Sequence, residues 1–104
     1  MEGLLNYYKV ITLANYQNLD ADNLIEANTI YEIAPAGSST YNNFPIVNFN
    51  GGAVLESFRI GSTYKFQRFF HYNSYTMYIR YTFFDGSIGS TRWTDWRKVT
   101  PTVI

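Results

Sequence analysis

The stretch Tyr75–Val99, YTMYIRYTFFDGSIGSTRWTDWRKV, decides the fold class. From Thr76 its residues alternate, with Met77, Ile79, Tyr81 and Phe83 on one face and Tyr78, Arg80, Thr82 and Phe84 on the other. A period of two over this length is the pattern of a β-strand, because successive side chains leave a strand on opposite sides. Asp85-Gly86 then opens a polar turn, where glycine is expected to supply a positive φ. A second strand follows and ends on Trp93-x-x-Trp96-x-x-Val99, with Arg92, Arg97 and Lys98 around the indoles.

Working back from this hairpin, the chain breaks into short strand-like runs separated by turn residues. Tyr64–His71, Ala53–Ile60, Pro45–Asn50 and Thr29–Ala34 read as strands, and Pro35 stops the last of these because it lacks a ladder N–H. Gly51-Gly52, Gly61-Ser62-Thr63 and Tyr72-Asn73-Ser74 read as turns, and Ala36–Asn43 as a polar loop. Asp20 has the chemistry of an N-cap for one short helix or helical turn towards Ala27. Leu4–Leu13 is too short for periodicity to choose between strand and helix. The pattern predicts an all-β domain, a small sandwich or barrel-like knob with at most one short N-terminal helix. Residues 1–13 are expected to connect and residues 14–104 to form the knob.

Composition narrows the function classes. Eight basic residues balance eight acidic ones, so the basic surplus of a nucleic-acid binder is missing. There is no cysteine, which removes disulfides and thiolate metal sites from consideration. The first ten residues form neither a signal peptide nor a membrane span, so action outside a cell is expected to follow release by lysis. Charged residues are only 15% of the chain and aromatic residues 19%, with ten Tyr and ten Asn. Tyr and Asn combine contact area and hydrogen bonding at low rotamer entropy, a composition suited to binding surfaces, although aromatic residues are also ordinary strand formers.

Catalysis has little to stand on. His71 is the single histidine, so any Ser-His-Asp site would depend on it. Glu32 and Glu56 fall on strands and invite comparison with a carboxylate pair, but acids in strands commonly serve ion pairs. No phosphate loop, dinucleotide fingerprint or metal-ligand spacing is present. The expectation is a protein that is not an enzyme and holds neither cofactor nor metal.

The strand with Tyr78-Ile79-Arg80, the Gly/Ser turn and Trp93-Thr94-Asp95-Trp96-Arg97-Lys98-Val99 closely resemble the pyocin-knob family, small β-rich domains at the tips of phage tail, tailocin and head fibres. Asn18-Leu19-Asp20, Asn28–Ile33, Gly51–Leu55 and the Gln-bearing strand Phe66–Phe70 extend the likeness over roughly residues 14–99. Asn28-Thr29 in place of the family's Pro/Gly, and the long turn Asp85–Thr91, depart from it.

The resemblance implies a homotrimeric fibre tip on the virion surface, joined to a fibre shaft or other virion protein and attaching to a bacterial glycan. It implies neither nucleic-acid binding nor membrane insertion. A head-fibre or trimerisation cap without a receptor, and a carbohydrate-binding module of an enzyme, are the alternatives. Trp93 and Trp96, with Val99, are read chiefly as the motif that closes the fold, with sugar stacking as the other reading. Thr94-Asp95 would have to bend the chain to bring both indoles to one side. Arg80 is expected to stack on an aromatic ring and to share its face with Arg68, with Glu56 or Glu32 as the carboxylate partner. Asp95 is expected to pair locally with Arg92 or Arg97. The receptor-binding candidates are Tyr41, Asn42 and Asn43 in one loop, Tyr72, Asn73 and Tyr75 in another, and Arg80.

Overall fold

A computed structural model describes residues 8–14, 18–34, 40–46 and 52–100. Among these residues nine strands follow in order: β1 (Lys9–Ala14), β2 (Asn18–Asp20), β3 (Thr29–Ala34), β4 (Thr40–Asn42), β5 (Ala53–Ile60), β6 (Tyr64–His71), β7 (Thr76–Asp85), β8 (Ser90–Trp93) and β9 (Arg97–Val99). A single 3-10 turn, Ala21–Asn23, follows β2. The domain is all-β, as the alternation predicts. Asp20 caps the turn as expected, its carboxylate accepting the Asp22 N–H at 2.9 Å.

The large sheet runs β1-β3-β5-β6-β7-β8, with β9 also on β7. β1 and β3 pair in parallel over their full length, so residues 9–13 belong to the sheet. All other neighbours in this sheet are antiparallel. A parallel pair needs a crossover, and the segment between β1 and β3 supplies one that carries β2 and the 3-10 turn. β2 pairs in parallel with β4 to make the small second layer. Of the expected strand Pro45–Asn50, residues 45 and 46 form a bend. The rest of it, like Pro35, residues 36–39 of the loop and Leu4–Tyr7, lies outside the described residues.

The core sits between this small layer and one face of the large sheet. Register lines that face up in rows. Ile11, Tyr31, Leu55, Phe69 and Tyr78 stand side by side across five strands. Leu19, Leu24, Tyr41 and Phe44 cover them, with Phe69 and Leu55 fully buried. Tyr31 also fixes the crossover, its hydroxyl accepting the Glu26 N–H at 3.2 Å, and burial pushes its phenol above the ordinary pKa.

The neighbouring row is polar. Thr29, Ser57, Gln67 and Arg80 stand in line across β3, β5, β6 and β7, and all are buried. On β7 the inward face is therefore the one carrying Arg80 and Thr82, while Ile79 and Tyr81 face away. Hydrophobicity alone would have picked the opposite face. On β5, likewise, Ala53, Leu55 and Ser57 point inward, and Val54, Glu56 and Phe58 point outward.

Candidate functional site

Two groupings of aromatic and polar residues gather the sequence-predicted site residues, and they differ in construction. The first surrounds Arg80. β8 pairs with β7 up to Thr82 opposite Trp93, and β9 resumes with Ile79 opposite Arg97. Arg80 and Tyr81 therefore face three residues, Thr94, Asp95 and Trp96, so the strand carries a one-residue β-bulge. The bulge is pinned by Thr94 N–H donating to Tyr81 O at 2.8 Å and Tyr81 N–H donating to Thr94 Oγ1 at 3.2 Å.

Residues three apart on a regular strand point to opposite faces. The extra residue reverses that parity and turns both indoles to the side of Arg80. Its guanidinium carbon lies 4.0 Å from the Trp93 ring centroid and 4.7 Å from that of Trp96. The expected bend at Thr94-Asp95 is thus present, and it serves the arginine.

The arginine is only 5% exposed, and a charge so placed needs partners. Its Nε donates to Gln67 Oε1 at 2.7 Å and its Nη2 to Asp22 Oδ1 at 2.8 Å. Gln67 in turn donates through Nε2 to the carbonyls of Ala21 and Leu24 at 2.6 and 3.1 Å. The result is a closed circuit from β7 through β6 to the 3-10 turn and back, which ties the second layer to the sheet. Burial lowers the Arg80 pKa and Asp22 opposes that shift; a guanidinium nonetheless remains charged throughout the physiological range.

Arg68 does not share this face. It stands opposite Ile79 on the outward side, held by Glu56 through two bonds of 2.9 and 2.7 Å, which raise its pKa. Asp22 takes the place expected for Glu56 or Glu32, because register sets Gln67, and not Arg68, beside Arg80.

Trp96 completes the clamp. Its Nε1 donates to Asn43 O at 2.7 Å and its ring packs edge-on against Phe69 at 6.3 Å. Asn43 takes a left-handed φ of 61° and donates through Nδ2 to Asp20 Oδ1 at 2.8 Å. Asn42 is exposed beside it. Tyr41 does not join them at the surface. Residues 40–42 form β4 rather than loop, and Tyr41 alternates inward opposite Leu19, 7% exposed, with its ring against Phe44. Both Tyr41 and Arg80 are thus removed from a freely accessible binding surface by burial.

The second grouping is the β6–β7 turn. His71 pairs with Thr76, and residues 72–75 form the tip. Tyr72 is 52% exposed and Tyr75 84%, and Asn73 is exposed between them. The backbone and small side chains hold this tip. Tyr72 N–H donates to Gly52 O at 3.1 Å, and Tyr75 N–H to Tyr72 O at 3.3 Å. His71 Nδ1 lies 2.8 Å from Ser74 Oγ, which lies 2.5 Å from Thr76 Oγ1. Tyr72 rests its ring on the edge of Phe70 at 5.1 Å. Gly52 lies beneath that ring, where an added Cβ would come within 3.4 Å of it. Tyr75 adopts φ 51°, a left-handed conformation that a bulky residue rarely takes and that recurs at functional sites.

The remaining readings resolve as follows. Arg92 pairs with Asp85 at 2.7 Å across the β7–β8 hairpin, and Asp95 has no ion pair among the described residues. The positive φ of that hairpin belongs to Gly89, at 69°, and not to Gly86. Glu32 stands opposite Val54, diagonal to Glu56 on the outward face, and Glu56 is already engaged by Arg68. Among the described residues no group of three His, Asp or Glu is placed to hold a metal, and no helix is long and apolar enough to cross a membrane.

Asp22 and Gln67 are the clamp members that residue-by-residue reading passed over. Their signals were faint: an acid two residues after an N-cap, and a lone amide inside an aromatic strand. No family model, curated protein or solved structure matches the chain.

Proposed function

We propose that this chain is the distal knob of a phage or phage-like fibre, a non-enzymatic homotrimeric tip on the virion surface that attaches to a bacterial glycan. The Tyr72–Tyr75 turn is its contact surface. The observation that carries the reading is the display of Tyr75, 84% exposed on a strained backbone, beside Tyr72 and Asn73 at the end of a braced hairpin. Tyrosine faces stack on the C–H faces of sugar rings, and the adjacent amide and hydroxyls can bond to sugar hydroxyls. The Trp93 and Trp96 pair is a poorer platform because Arg80 stacks on both indoles. The likeness of Tyr78-Ile79-Arg80 and of Trp93–Val99 to fibre knobs supports the same setting, in which the clamp is scaffold common to the fold and the turn is free to vary. Trimeric display would multiply weak single contacts through effective concentration.

The test is binding of the labelled protein to arrays of bacterial capsular and lipopolysaccharide glycans. Retained signal at one glycan class, lost in Tyr72→Ala and Tyr75→Asn, is the expected result. Binding that survives both substitutions and disappears with Asn42→Ala would move the contact to the clamp side. No binding across the array would favour a structural cap.

A further inference from the structure

We propose that the outward face of the large sheet is where copies of this chain meet, with the strands running along the symmetry axis. This deepens the trimer reading by assigning its interface. Among the described residues the second layer covers only one face of the sheet. The other presents Phe58, Phe66 and Tyr81 in one row and Val54, Phe70 and Met77 in another, separated by the row that holds Glu56 and Arg68. Six strands at about 4.8 Å spacing and three rows at about 6.8 Å give this face roughly 29 by 20 Å. That is about 600 Å² in projection, before side-chain relief is counted, and approaches the ~800 Å² that one partner contributes to a standard interface. A face of this size, with two apolar rows flanking one self-neutralised ion pair, marks an interaction surface on a small domain.

Charge identifies the occupant as another copy. At the centre, Glu56 and Arg68 neutralise each other in a bidentate pair, so a neutral, apolar face like this one is its natural complement. Towards the edges the face carries opposite signs. Glu32, on β3, accepts only from Thr12 among the described residues, and Arg97, on β9 at the other side, has no ion pair among them. An axis parallel to the strands brings the β3 side of one copy to the β9 side of the next, where Glu32 and Arg97 stand one row, about 6.8 Å, apart along the strands and within reach of each other's long side chains.

The bulk of the side chains favours three copies over two. Three sheets about 29 Å across, closed as a triangular prism, lie about 8 Å from the axis at their centres, against the ~5 Å half-spacing of two stacked sheets. The large rings Phe58, Phe66 and Phe70 stand on the central strands β5 and β6, where that depth is greatest. Val10, Ile30 and Val99 stand towards the edges, where adjacent sheets converge.

Molar mass by light scattering at micromolar concentration tests both levels. The expected wild-type mass is threefold that of the chain, falling to one chain in Phe66→Glu. Glu32→Arg and Arg97→Glu should each weaken association at least tenfold, and the double swap should restore it, which loss of folding could not do. A twofold mass that responds in the same way sustains the interface and overturns the trimer. A threefold mass indifferent to Phe66→Glu and to both reversals overturns the interface and leaves the trimer standing. A single-chain mass for the wild type overturns both.

Discussion

Arg80 and Tyr75 lie five residues apart, in the middle of β7 and just before its start, yet they use aromatic chemistry in opposite ways. Around Arg80 the rings are partners: both indoles stack on the guanidinium, Trp96 is also bonded to Asn43, and the charge is matched by Asp22 and Gln67. At the tip the backbone and small hydroxyls do the holding, and the tyrosine rings stand largely in water. An aromatic-rich composition therefore mixes two uses that counting cannot separate. What separates them is how far a ring is covered by its own chain: Tyr72 leans on Phe70 and stays half exposed, and Tyr75 stands almost wholly in water.

Removing the arginine should break the first grouping and leave the second intact. Arg80→Ala strips Gln67 of its donor and empties the space between two indoles. The expected loss is about 3 kcal/mol, combining a buried unsatisfied acceptor with lost stacking. Asp22→Ala should lose only about 1 kcal/mol, since that carboxylate is partly exposed and water can take over part of its role. Urea unfolding of both variants checks the ranking; equal losses would mean that the ion pair, and not the Gln67 circuit, holds the layers together.

The two tryptophans sharpen the same comparison. Trp96 packs on Phe69 and donates a hydrogen bond, whereas Trp93 has stacking on Arg80 as its described interaction. Trp96→Phe should therefore lose about 2 kcal/mol and Trp93→Phe about half that, because only the former leaves a backbone carbonyl without its donor. Thermal unfolding reads the difference. Glycan binding that vanished with Trp93→Phe while stability held would transfer Trp93 from scaffold to display.

Much of the fold was legible because alternation is a backbone property: the bounds of β3, β5 and β6 follow from apolar and aromatic periodicity. Which face is buried was not legible. On β7 the inward face carries an arginine and a threonine, and no hydrophobicity rule chooses them over isoleucine and tyrosine. The choice is made by register with Gln67 and by the 3-10 turn 43–46 residues earlier in sequence, whose carbonyls that amide satisfies. The bulge was half legible, since Trp-x-x-Trp demands either opposite faces or an extra residue, but only pairing on both sides of Thr94–Trp96 decides. Tyr41 was misplaced for a simpler reason. Its neighbours are polar, and three residues of β4 are too few to show a period.

The β7–β8 hairpin lies between the two extremes, an exposed turn held by charge. Ser87 donates its O–H and N–H to Asp85, and with Arg92 nearby these hold the carboxyl below its ordinary pKa. A depressed folded-state pKa contributes stability that is present above the unfolded value, about 3.9 for aspartate, and lost as pH falls through the folded one. Asp85→Asn should therefore be slightly less stable than wild type at pH 7, and the two should converge as pH drops below about 4. Melting temperatures measured from pH 7 to pH 2 test this, and a gap that widened in acid would contradict the assigned role.

The smallest effect on stability is expected at the residue with the largest effect on binding. Tyr75 holds a left-handed φ that asparagine accepts more readily than a bulky side chain does. Its ring is too exposed to contribute much packing. Tyr75→Asn should stay within about 0.5 kcal/mol of wild type or rise slightly, while Tyr75→Val, β-branched and unsuited to positive φ, should lose about 1–2 kcal/mol. If strain is tolerated only because display of the ring is useful, stability and attachment must move in opposite directions between wild type and the asparagine variant. Should Tyr75→Asn unfold as readily as Arg80→Ala, the tip would be a second clamp and the contrast between the two groupings would fail.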